Sequence, residues 1–171
     1  MLAFTFLLAL LASLLQGILL PGFSLCTIAT WIALVILKKP LLQTLWLTPL
    51  AGLILDLLSD HPFGVHALAF TLTAALLYPM RRHFAADSVL HLALFSTLIS
   101  AISSLLLLFL LFLFDRRVPF GGRWALVDVI VMPLFDGAFA ALWFGWPLLL
   151  LAKMRKIWDL FWIKRKNLSP T

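Results

Sequence analysis

Three aspartates stand inside apolar runs, and they are the residues of this chain whose type and place could do chemistry: Asp56, Asp128 and Asp136. Asp128 and Asp136 are eight apart, which puts them nearly on one face of a helix. Ionisable groups inside apolar spans are costly, and they normally face a bundle interior or a cavity. Three uses fit them. The first is structural. Each carboxylate caps backbone amides of a bent or broken helix, or pairs with Arg123 or a histidine. Pro133 and Pro147 lie close by, and prolines free backbone carbonyls that need a polar partner. The second is a ligand or ion site. The third is a pair of carboxylates sharing a proton for intramembrane hydrolysis. No accompanying motif supports hydrolysis, so neither a catalytic residue nor a cofactor is expected.

The other reactive types are sparse. His61 and His66 flank one turn, and His83 and His91 flank the next. Their spacing matches no zinc motif, and the chain contains no Glu. They read as interfacial, and no metal site is expected. Cys26 is the single cysteine, so it makes no intrachain disulfide; in its apolar run it reads as a buried, inert thiol. There is no Gly-rich phosphate loop and no nucleophile elbow.

The elements that hold these residues follow from composition. Hydrophobic residues make up 64% of the 171, and mean hydropathy is +1.11. A soluble domain is nearer 45–50% apolar. One soluble core of this length cannot hide the excess, so lipid covers it. The 13 Lys and Arg exceed the seven acids, all of which are Asp. The basic residues do not spread over an amphipathic face. They stand between apolar blocks as Lys38-Lys39, Arg81-Arg82 and Arg116-Arg117, and in a basic tail. That is a loop pattern of membrane proteins and argues against nucleic acid as a partner.

About 20 apolar residues cross a hydrocarbon core. Six runs qualify: Leu2–Leu20, Phe23–Leu37, Leu41–Leu58, Phe63–Met80, Val89–Phe114 and Trp124–Ala152. Leu2–Leu20 has no preceding Lys or Arg and no signal-peptide cleavage pattern, so it reads as a retained helix. The second run has only 15 residues, about 22 Å of helix, and requires a short span or a thinned membrane. The expected fold is all-α: one multi-pass domain of about six transmembrane helices over residues 1–152, then a cytoplasmic tail over 153–171. In the tail, Trp158, Phe161 and Trp162 share a helix face among the basic residues, as in a segment lying on anionic lipids. Six spans place ten basic residues on one side and three on the other, so both termini are expected in the cytoplasm. Fusing the first two runs into a re-entrant pair would give five spans; Pro21-Gly22, a good tight turn, argues for two.

Small residues recur four apart on several runs, among them Ala9, Ser13 and Gly17 on the first and Gly137, Ala141 and Gly145 on the last. Such stripes let helix backbones approach closely. Packing inside the bundle is the plain use. A partner helix is the other, with the first-run stripe the leading candidate.

Residues 52–68 read Gly-Leu-Ile-Leu-Asp-Leu-Leu-Ser-Asp-His-Pro-Phe-Gly-Val-His-Ala-Leu. This resembles the signature of the rod-shape-determining MreD family: a Gly, an Asp closing a span, a short polar turn, and a Gly opening the next span. The matching positions are Gly52, Asp56, Ser59, Gly64 and Leu68. Arg81-Arg82, the stretch Met132-Pro133-Leu134-Phe135-Asp136-Gly137, and Trp146-Pro147 before a basic tail are also similar. A local account accompanies the likeness. Ser59 and Asp60 can cap a helix starting near Pro62, and Gly64 allows a special dihedral or a close approach. Asp56 then fixes a rigid helical hairpin.

The resemblance implies a non-enzymatic scaffold in the bacterial inner membrane. It implies binding to MreC, a single-span protein, and through it links to the MreB filament, a penicillin-binding protein and the RodA polymerase. The family's fold is similar to the substrate-binding S components of energy-coupling-factor transporters, so a small-molecule-binding transporter subunit is the alternative. A central, polar-lined cavity separates the two readings. The short second run and the Trp-rich tail depart from the family pattern without breaking it.

Overall fold

The computed structural model describes residues 2–19, 26–59, 62–84, 88–114 and 127–147, with 153, 154 and 158 of the tail; the side chains of 16–19, 128 and 144 lie outside that description. Every element among the described residues is helical. They are α1 (Leu2–Leu19), α2 (Thr27–Lys38), α3 (Leu41–Leu58), α4 (Val65–Leu77), α5 (Val89–Phe114) and α6 (Met132–Phe139). A 3₁₀ turn, Tyr78–His83, continues α4. Single π-helical turns, Val127–Val131 and Ala140–Gly145, lead into and out of α6. The fourth run is therefore shorter as an α-helix than its apolar extent suggests, because Pro79 removes a backbone donor where the 3₁₀ turn takes over. Two helices, α3 and α5, are long and apolar enough to cross a membrane.

The bundle is apolar on its outside as well as in its core. Large apolar side chains stay exposed on α1 (Phe4, Leu7, Leu11), α3 (Leu42, Trp46, Leu50), α4 (Leu72, Leu76), α5 (Leu94, Leu105, Phe109) and α6 (Leu134, Phe135). Beside its apolar core, the interior holds six threonine and serine hydroxyls on α2, α4 and α5, together with Thr44 and Thr48 on α3 and the carboxylates of Asp56 and Asp136. Such an arrangement suits an apolar solvent, which wets leucine without cost and leaves polar groups to find partners inside.

The second helix is short because it lies at the centre. Thr27 through Ile36 are all buried, and α2 packs against α1, α3, α5 and α6. Its 12 residues rise about 18 Å. Two hydrogen bonds set its height: Thr27 Oγ1 donates to the Ala9 carbonyl at 2.9 Å, and Trp31 Nε1 donates to the Leu2 carbonyl at 3.0 Å. Leu2 and Ala9 lie in the first half of α1, so α2 begins about halfway along that helix and runs antiparallel to it. Ile28, Ile32, Val35 and Ile36 of α2 meet Phe95 and Ile99 of α5 in the core.

At the end where α2 stops, Arg81 Nη1 donates to the Lys39 carbonyl at 2.9 Å, and its guanidinium lies 4.1 Å from the Tyr78 ring centroid. The Lys38-Lys39 and Arg81-Arg82 pairs therefore share one end of the bundle. The opposite end carries the α3–α4 turn, where Gly64 has φ of 95°. A Cβ there would meet nothing within 4 Å, so backbone conformation alone selects glycine. Gly64→Ala is expected to cost about 1–2 kcal/mol, and Gly64→Asn less, read from unfolding midpoints in mixed micelles.

Candidate functional site

The α3–α4 hairpin is assembled by two residues of α3. Gly52 sets the distance. A Cβ at Gly52 would collide with the Ala67 Cα, stand 2.5 Å from the Ala67 nitrogen and 2.7 Å from the His66 carbonyl carbon, so the two backbones touch here. Asp56, one turn later and 4% exposed, uses that proximity. Its Oδ2 accepts the Gly64 N–H at 3.0 Å and the Ala67 N–H at 3.3 Å. Its Oδ1 accepts the His66 N–H at 3.0 Å and lies 2.7 Å from His66 Nδ1.

The amide accounting at the start of α4 closes. The Val65 N–H reaches the Pro62 carbonyl at 3.3 Å, and the Leu68 N–H already bonds the Gly64 carbonyl at 3.0 Å. The other donors of the first turn, on Gly64, His66 and Ala67, all end on Asp56. Four orphan donors are the usual deficit of a helix start, and one carboxylate from the preceding helix meets most of it here. Ser59 does not share this task. Its hydroxyl is buried and makes no hydrogen bond, and Gly64 rather than a residue near Pro62 is the cap position. The expected Ser59 cap is thus replaced by Asp56, which reaches the amides because Gly52 lets α3 lie directly on α4. Asp60 and His61 lie outside the described residues.

A second carboxylate occupies a different layer. Asp136 on α6 is fully buried. Its Oδ2 accepts the Ser100 hydroxyl of α5, and the Cys26 backbone amide at the start of α2 also acts on the carboxyl. Its Oδ1 has no hydrogen-bond partner. One turn along α5, Ser96 Oγ and Thr30 Oγ1 of α2 are 3.1 Å apart; one turn the other way, Ser103 donates to Thr73 of α4 at 3.2 Å. Serines 96, 100 and 103 therefore form a buried hydroxyl ladder that ties α5 to α2, α6 and α4. Their polar role shows only once the three partner helices are in place.

The glycine stripes turn inward. A Cβ on Gly137 would strike Thr97 Oγ1 and lie 3.1 Å from the Ala93 carbonyl, and a Cβ on Gly145 would strike the Val89 side chain, all on α5. Ala9 is fully buried beside α2, and Ser13 and Ala141 are half-buried. The surroundings of Gly17 lie outside the described residues, as does the Asp128 side chain. Of the two uses open to Ala9, Gly137 and Gly145, packing in the bundle and a partner face, these contacts show the first, since close backbone approach is what lets α1 meet α2 and α6 meet α5. Asp56 and Asp136 belong to separate layers, so they form no carboxylate pair.

Comparison of the chain with family models, curated proteins and solved structures returned no match. What the site can do is therefore argued from its geometry. The Asp56 carboxylate has all its hydrogen-bonding capacity engaged by Gly64, His66 and Ala67, which suits it to fixing two helices and leaves little for chemistry.

Proposed function

We propose that this chain is a non-enzymatic, multi-pass scaffold of the MreD type. It sits in the bacterial inner membrane with six spans and both termini in the cytoplasm. It docks a single-span, MreC-like partner, and through it reaches an MreB filament, a penicillin-binding protein and a RodA-type polymerase. The observation that carries this reading is the hairpin. Gly52, Asp56 and Gly64, three of the positions that match in the resemblance, act as one mechanical unit. Two further observations support it. The two basic pairs assigned to the cytoplasmic side by charge share one end of the bundle. The middle of the bundle is filled by α2 side chains, where a transporter subunit needs room for a substrate.

With Ala9, Gly137 and Gly145 packed inside the chain, docking falls on outward apolar faces. A partner span packs there by shape and contact, without a hydrophobic drive of its own. The test is co-expression with the MreC-like protein of the same host and purification in mild detergent. The wild-type chain is expected to bring the partner through two affinity steps, and a Gly52→Val chain to lose most of it. A well-folded wild-type chain that retains no partner would overturn the scaffold reading and favour the transporter-type alternative.

A further inference from the structure

The Asp136 layer is unexplained by helix docking. A carboxylate with an unpartnered oxygen inside an apolar bundle costs more than an unpaired neutral group, and the cost grows as the surroundings dry. Asp136 is fully buried, and only one of its oxygens has a hydrogen-bond partner. The N-terminal end of α2 meets part of its charge: a helix start carries about half a positive charge. Cys26 supplies no side-chain cap to that helix, and its backbone amide lies toward the Asp136 carboxyl. The remaining charge falls on Oδ1.

Three observations say what kind of ligand suits Oδ1. Ser100 donates its single hydroxyl hydrogen to Oδ2, so the Ser100 oxygen keeps its own lone pairs. Thr97, three residues earlier on α5, donates to the Ala93 carbonyl at 3.0 Å and lies against Gly137, next to Asp136. Its oxygen also keeps lone pairs. Oδ1 itself makes no hydrogen bond among the described residues. A metal cation needs no acceptor and takes lone pairs from carboxylate and hydroxyl oxygens. Cys26 is the other titratable group facing this carboxyl from α2, and α5 offers it only hydroxyls.

We propose that Asp136 Oδ1, with the Ser100 hydroxyl, binds a small monovalent cation at mid-height of the bundle, beside the buried start of α2. A single charge is indicated, because one carboxylate is present and half its charge is already met. The cation would join α2, α5 and α6, and thereby link ion occupancy to the seating of the central helix. The site is independent of whether a single-span partner docks outside.

Thermal unfolding of the intact purified protein in detergent tests this, in sodium, lithium, potassium and choline chloride at one ionic strength. Sodium at ten times its Kd is expected to raise Tm over choline by about 3–6 °C. Ser100→Ala should weaken that shift at least several-fold, and Asp136→Asn should abolish it. Equilibrium binding of radioactive sodium to the wild-type chain gives a readout that survives if Asp136→Asn fails to fold. Equal Tm in sodium and choline with no sodium retained would overturn the proposal. So would a shift that persists in Asp136→Asn, or a Tm that follows pH alone in every salt, which would assign the carboxyl to a proton.

Discussion

Asp56→Ala is expected to remove about 3–5 kcal/mol of stability. The carboxylate accepts three backbone amides at the start of α4 and faces the His66 ring, so its loss leaves three donors without partners at once. Hydrogen bonds to a charged group contribute about 1.5–3 kcal/mol each, and stranded donors add their desolvation cost. Partial exposure of the turn keeps the total below the simple sum. Asp56→Asn separates capping from any other use of the acid. The amide keeps one good acceptor oxygen, so it should retain about half of the stabilisation. Denaturation with SDS in mixed micelles measures both. An Asp56→Ala chain as stable as wild type would show that the hairpin holds without its cap.

Gly52→Val is expected to be at least as damaging, by a different route. The atoms in the way belong to the α4 backbone at His66 and Ala67, which cannot rotate aside as a side chain would. Overpacking of this kind costs about 1–3 kcal/mol by itself. Forcing the helices apart also lengthens the Asp56 hydrogen bonds one turn away, so the cap weakens as well. Effects at the two positions should therefore be less than additive. The double variant Gly52→Val, Asp56→Ala should lie within about 1 kcal/mol of the worse single variant, whereas independent sites would add. Limited proteolysis at the α3–α4 turn gives a second readout, with faster cleavage expected in all three variants.

The hairpin was largely legible in the residues. Gly52, Asp56 and Gly64 stand out by type and spacing, and each has the role that its chemistry suggests: contact, acceptor and left-handed turn. Read locally, the cap falls to Ser59 and Asp60 for an understandable reason. Capping rules are local and place the acceptor two or three residues before the amides it serves. Asp56 serves amides eight to eleven residues later, which is possible only when two antiparallel helices touch. Nothing in the segment 52–68 alone says that they do.

The helix faces were less legible. A stripe such as Ala9 and Ser13, or Gly137 and Gly145, records that something comes close, and a partner in another chain would leave the same mark as a neighbour in this one. In this bundle the neighbour is α2 or α5. The second helix shows the same division. Its shortness was visible in the 15-residue run, but a short apolar run is equally consistent with a thinned membrane, a re-entrant pair or a buried core helix.

By itself the sequence determined the all-helical class and the positions of the polar residues, because these follow from composition and from apolar runs that each segment carries alone; two of those runs form helices long and apolar enough to cross a membrane. Only the tertiary structure decided that α2 is central and begins halfway along α1, that Asp56 caps α4, and that Asp136 meets Ser100 with one oxygen to spare. Those outcomes depend on which helix lies against which, and that is settled by contacts between residues far apart in the chain, as in Thr30 and Ser96, 66 positions apart.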